Sequence, residues 1–176
     1  MTNSISKLSK SLHWIIAVMM IALFIVGKIS EDMEGPAKFQ LLSNHGSVGM
    51  MVFIFGIVRI INRLREGFPA PIGHNPRILE IVSKFVHWVL LILPIAMPIS
   101  GLMMFYSGGN PISWFGIEIF AGSGIQNKAL GGIANNMHGA GATLLLIAVI
   151  LHVGGALKHH FIDKDGTLKR MLGLRY

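Results

Sequence analysis

The chain has 176 residues, 52% of them hydrophobic and only 13% charged, with a mean hydropathy of +0.62. A soluble domain carries roughly twice that charged fraction, so the composition excludes an ordinary water-soluble enzyme and points to a membrane protein. The chain has no cysteine, which excludes disulfides, thiolate-held iron–sulfur clusters and porphyrin attachment through C-x-x-C-H.

Residues 1–10, MTNSISKLSK, are short, polar and basic. The first apolar segment, 11–29, is long enough to cross a hydrocarbon layer of about 30 Å. No A-x-A-like cleavage site follows it and three more spans do, so it reads as a retained helix and not a signal peptide. Ser11 offers an N-cap. His13 and Trp14 fall in the first turns, where Trp suits the aromatic belt of a membrane interface and His13 serves equally as anchor or ligand. Fourteen residues are close to four helical turns, so Gly27 lies on nearly the same face as His13.

Residues 28–44 hold Glu31, Asp32, Glu34 and Gly35-Pro36 and read as a polar turn outside the membrane. The second segment, 45–63, opens N-H-G at His45. Gly46, Gly49 and Gly56 bare part of its surface, which serves close helix packing or a flat macrocycle equally well. Arg59 follows His45 by fourteen residues. It is a charged anchor or, more specifically, a bidentate partner for the carboxylates of a cofactor.

The next connection carries Pro69, Pro71 and Pro76, which block a continuous helix; its His74 reads as solvated. The third segment, 81–106, places Lys84, His87 and Trp88 at its start, and Pro94 and Pro98 predict a kink. Gly101 follows His87 by fourteen residues. The stretch 107–136 is a long polar connection in which PISWFGIEIF (111–120, with Trp114) is apolar but too short to span. It is expected on the interface or over the end of the bundle.

The fourth segment, 137–160, carries His138 and His152. Both leave nearly the same face of the helix, about 21 Å apart along its axis, one near each side of the membrane. His159 and His160 come next to Lys158, before a basic tail. The whole chain, 1–176, reads as one membrane domain.

With both termini inside, the cytoplasmic side holds Lys7, Lys10, Arg59, Arg63, Arg65, Arg77, Lys84, Lys158, Lys164, Lys169, Arg170 and Arg175, against Lys28, Lys38 and Lys128 outside. That asymmetry follows the positive-inside rule. It accounts for the net charge of +7 without nucleic acid.

Imidazoles at membrane depth are expensive and mark function, and neutral imidazole is a common ligand of haem iron. Sorted by depth, His45 and His138 lie near the outside, and His13, His87 and His152 near the cytoplasm. A bis-imidazole haem needs two opposed rings from facing helices. The outer set offers one pair, and the inner set offers three rings for two positions.

L-H-W in the first segment, N-H-G in the second, H-W in the third and M-H-(13 residues)-H in the fourth together resemble the bacterial cytochrome b561 family. That family is itself similar to the cytochrome subunits of nickel–iron hydrogenases and formate dehydrogenases. The resemblance covers essentially the whole chain. It implies an all-α, integral membrane four-helix bundle, multi-pass in the bacterial inner membrane, with two haem b groups that exchange electrons with ubiquinone. It also implies the pairing, His45 with His138 on the outer iron and His13 with His152 on the inner. His87 is then left without an iron.

His87, with His159 second, becomes the candidate quinone ligand or proton donor, since quinone reduction needs protons that a haem does not carry. Arg59, Gly27 and Gly101 are expected to serve the cofactors, the glycines by leaving room at the outer level. The resulting expectation is a quinone-linked oxidoreductase fed by a small-molecule or protein donor. Superoxide is associated with some relatives, although Lys28, Lys38 and Lys128 are balanced by Glu31, Asp32, Glu34 and Glu118, so the external side has no positive field to steer an anion. The alternative is a non-catalytic haem-bearing anchor that relays electrons for a partner dehydrogenase.

Overall fold

The computed structural model describes residues 5–69, 72 and 76–174, so Pro71, His74 and Arg175 lie outside the described residues. Helix α1 runs over Lys7–Glu31, α2 over Gly35–Glu66, α3 over Arg77–Ser107 and α4 over Lys128–Phe161. Between α3 and α4 lies a hairpin of β1 (Ile112–Trp114) and β2 (Ile117–Phe120), and a short α5 (Thr167–Leu172) closes the chain. The first four helices are each long and apolar enough to cross a membrane. The fold is thus a mostly helical membrane bundle.

The helices are longer than the expected 11–29, 45–63, 81–106 and 137–160. Hydrophobicity marks only the stretch in contact with hydrocarbon, whereas capping and backbone bonding carry a helix on into the polar zone. Ser6, not Ser11, caps α1, accepting from the Ser9 backbone N–H at 3.1 Å. The polar turn expected over 28–44 shrinks to residues 32–34, because Pro36 sits in the first turn of α2, where its missing N–H costs nothing. Asn127 caps α4 by accepting from the Leu130 N–H at 3.0 Å, which starts that helix nine residues before its apolar run.

Most large apolar side chains point outward, as lipid-facing residues must; Val18, Phe85 and Ile150 are each more than 60% exposed. The interior is a narrow layer of Ile16 and Met20 from α1, Val52 from α2, Leu93 from α3 and Leu145 from α4. Leu145 lies seven residues from both His138 and His152, and Val52 seven from both His45 and Arg59. The dry layer therefore sits midway between the two imidazole levels, about 10 Å from each along the helix axes.

Helix α3 passes through the buried Pro94 and Pro98, and α2 closes on it at Gly56. A Cβ there would lie 3.2 Å from the Pro94 Cβ and 3.3 Å from the Ile95 Cγ1, so the bare backbone sets that approach. The hairpin is pinned to the buried Ser47 of α2, whose Oγ accepts from the Phe115 N–H at 3.0 Å. Phe115 and Gly116 both have positive φ (48° and 86°), the twist-matched two-residue turn of a tight hairpin. Backbone contact is extensive between α1 and α2, α2 and α3, and α3 and α4. Neither α1 nor α2 is in more than sparse backbone contact with α4.

Candidate haem sites

Across those two open seams the histidines meet. At the hairpin end His45 of α2 faces His138 of α4 with ring centroids 6.2 Å apart. At the end carrying the termini His13 of α1 faces His152 of α4 at 5.9 Å. An imidazole nitrogen binds a first-row metal at about 2 Å, so two rings across one iron have centroids about 6 Å apart. Both pairs have that spacing. Both also lie between helices whose backbones are not in close contact, as a macrocycle between the rings requires.

The surroundings fit a cofactor at the hairpin end. The buried Nδ1 of His45 has no hydrogen-bond partner among the described residues, a state that costs about 1–3 kcal/mol when nothing meets it. Gly49, one turn on from His45, is buried, yet a Cβ there would meet nothing within 4 Å. His138 Nδ1 lies 2.9 Å from the Ser100 Oγ. A Cβ on Gly27 would lie 3.8 Å from the His45 Cε1, and one on Gly101 3.5 Å from the His138 Cε1. The two glycines thus border the imidazole rings themselves.

At the other end a third ring joins the pair. His87 of α3 has its centroid 5.3 Å from that of His152, closer than His13, and its Nδ1 lies 3.5 Å from the Ser83 Oγ. It is exposed at the bundle surface. Helix α3 as a whole packs closely on α4, as α1 does not. An Arg59 Nη lies 3.2 Å from His13 Nδ1, and the other reaches the Ser9 carbonyl at 3.4 Å. Guanidinium only donates, so His13 Nδ1 accepts and its ring proton sits on Nε2. A ligand bonded through Nε2 needs the other tautomer, and Arg59 would then turn to another acceptor. A haem carboxylate is the strongest such acceptor.

His159 is not part of that cluster. Its Nδ1 lies 2.7 Å from an Asp165 carboxylate oxygen and 3.2 Å from Asp163, while the Lys158 ammonium holds Asp163 at 2.7 Å. Asp165 also accepts from the Thr167 N–H at 2.8 Å, at the start of α5. Burial raises the Asp165 carboxyl, but hydrogen bonds from Thr167 and His159 outweigh that and hold it below the usual carboxylate range. Helix α5 reaches back to α1, where the Trp14 indole N–H donates to the Met171 carbonyl at 3.3 Å. Trp88 packs its ring on Phe68 at 5.3 Å. His87 and His159 therefore have separate partners.

Sequence reasoning missed Ser100, Asp165 and the Ser9–Asn62–Glu66 network beneath Arg59, in which Asn62 donates to the Ser9 Oγ at 2.8 Å and Ser9 to Glu66 at 2.9 Å. Only Ser100 had any signal nearby, the adjacent Gly101.

A membrane bundle that presents opposed imidazoles across open seams at two depths defines a class, the b-type membrane cytochromes. The chain belongs to the prokaryotic cytochrome b561 family, whose model matches residues 4–174. It is similar to "Cytochrome b561 homolog 2" of Escherichia coli (strain K12), 29% identical over 168 residues that cover 94% of this chain and 89% of the relative. "Cytochrome b561 homolog 1" of the same organism is 28% identical over 98% of this chain and 99% of its own length. "Probable superoxide oxidase CybB" of Yersinia pestis is 28% identical over 98% and 97%. Membership makes the chain a multi-pass bacterial membrane protein and an oxidoreductase of electron transport, and it implies haem b.

Proposed function

We propose that the protein is a di-haem cytochrome that takes single electrons at the hairpin end and delivers them to ubiquinone near the end carrying the termini. The observation that carries this reading is the matched pair of imidazole pairs, 6.2 Å and 5.9 Å between centroids, on one α4 face and fourteen residues apart. His45 with His138 would hold one haem, and His13 with His152 the other. The open seam between α1 and α4 supports His13 over His87 as the partner of His152. Haem b, when bound, supplies reversible one-electron transfer; the chain supplies ligands, orientation and low dielectric. The cationic residues around both termini support an inner-membrane orientation with those termini cytoplasmic.

The similarity to a probable superoxide oxidase supports superoxide as the donor. Two superoxide anions each lose one electron to become dioxygen. Those two electrons, with two protons from the cytoplasmic side, convert one quinone to quinol. His87 is the first candidate for the residue that hydrogen-bonds the quinone and passes a proton. Its ring is open at the surface and lies beside His152. His159, whose Nδ1 is held by Asp165, is the second.

The test is reconstitution of the purified protein in liposomes with ubiquinone. Superoxide generated outside should reduce the haems and then the quinone, with dioxygen recovered. If superoxide reduces neither while a partner dehydrogenase reduces both, the chain is a relay subunit instead.

A further inference from the structure

Ser100 of α3 is 3% exposed, and its hydroxyl has two neighbours. Its Oγ lies 2.9 Å from the Met97 carbonyl on its own helix and 2.9 Å from His138 Nδ1 on α4. A hydroxyl has one proton to give and lone pairs with which to accept. If it gave that proton to His138, the ring's own proton would sit on Nε2. If it gives it to Met97, as serines in helices often do toward the preceding turn, then Nδ1–H donates to Oγ and Nε2 keeps a free lone pair. Only the second arrangement leaves a nitrogen able to bind a metal while every proton has an acceptor.

The geometry points to Ser100 as a positioning residue for the hairpin-end haem, fixing the tautomer and ring plane of His138 and raising the ligand's basicity. This rests on the bis-histidine reading above. Partners of this kind orient metal-bound imidazoles and strengthen them as donors, and a buried hydrogen bond acts more strongly than an exposed one. The other proposed ligand of the pair, His45, has no such partner for its Nδ1 among the described residues. The tuning of that site therefore falls on the His138 side, where the Ser100 hydroxyl sits between the ring and the Met97 carbonyl. A more basic imidazole favours ferric over ferrous iron, so Ser100 holds the potential of this haem down.

The test is potentiometric titration of the purified full-length cytochrome, followed spectrally. The hairpin-end haem is identified as the one missing from His45→Ala. Ser100→Ala should raise its midpoint; a tenfold loss of ferric preference is a shift of about 59 mV for one electron. It should also weaken retention of this haem by roughly 10- to 100-fold, while the other haem keeps its midpoint. Ser100→Thr, which retains the hydroxyl, should stay at the wild-type value. Should Ser100→Ala fail to hold the haem, Ser100→Cys provides a near-isosteric weak acceptor and should show the upward shift. An unchanged midpoint in Ser100→Ala or Ser100→Cys overturns the assignment, as does a Ser100→Thr shift equal to that of alanine. A wild-type protein with no haem that depends on His45 overturns the underlying reading as well.

Discussion

Arg59 of α2 and His13 of α1 meet at 3.2 Å, guanidinium to ring nitrogen, across the first helical pair. Arg59 thereby places a fixed cation beside one proposed haem, whereas the pair at the hairpin end faces a neutral hydroxyl. A positive charge stabilises the reduced, less positive iron. Arg59→Gln should lower the midpoint of the terminal-end haem by an amount on the order of 1 kcal/mol, at the effective dielectric near 20 that suits such sites. Arg59→Lys should recover part of it. A potentiometric titration showing a rise, or an equal fall at both haems, would count against this role.

The pairing predicts selective losses. His45→Ala or His138→Ala should each remove one haem and leave the other, and His13→Ala or His152→Ala should do the reverse, read by pyridine haemochrome content. His87→Ala should keep both haems yet slow electron transfer to a quinone analogue. Losing a general acid costs about 10²–10⁴ in rate, so a deficit below threefold would remove His87 from the mechanism. Loss of a haem in His87→Ala would move the iron to the His87–His152 pair.

The glycines separate contact from space. A Cβ on Gly27 would meet the His45 ring at 3.8 Å, ordinary van der Waals distance. Gly27→Ala should therefore leave haem content unchanged. Gly27→Leu should push the ring aside and lower occupancy of the hairpin-end haem more than the other. Equal loss of both would make Gly27 a helix-packing residue only.

Asp165 predicts an acid-sensitive strap. Its depressed carboxyl contributes stability that is present above its ordinary value, near 3.9, and is lost as pH falls through the lower value it has in the fold. The α5 attachment should persist at pH 5 and loosen only in stronger acid. Asp165→Asn should loosen it at neutral pH. Fluorescence of Trp14, whose indole N–H bonds the Met171 carbonyl, reports the change when compared with Trp14→Phe.

The bundle was legible from its apolar runs, and because fourteen residues approximate four turns, spacing alone put His138 and His152 on one face at two depths; the pairing of the inner rings was implied only by the family resemblance. What spacing cannot carry is a meeting between residues with no periodic relation. Ser100 and His138 are 38 residues apart on different helices, and a serine in an apolar helix reads as bonded to its own backbone. The hairpin was hidden for another reason. Its turn is Phe115-Gly116, and Phe at positive φ departs from the Asn-Gly or Asp-Gly signature of such turns. The clustering of His87 with His152 did follow from depth, whereas preferring His13 to His87 rested on the family resemblance, which the sparse backbone contact at the seam between α1 and α4 supports.

That seam has a consequence for biogenesis. The close backbone contacts run as a chain, α1 to α2, α2 to α3, α3 to α4, while α4 meets the first two helices through side chains, the imidazole pairs and the apolar layer around Leu145. Helices emerging in order can each dock on the one before, so the polypeptide reaches a three-sided trough without any cofactor. Under the di-haem reading, porphyrin would then fill the space between the paired imidazoles. Until it does, His13 and His152, and His45 and His138, have only each other and a few polar neighbours to meet in the half-buried interior. Supply of haem, more than synthesis of the chain, would set how much finished protein the membrane holds.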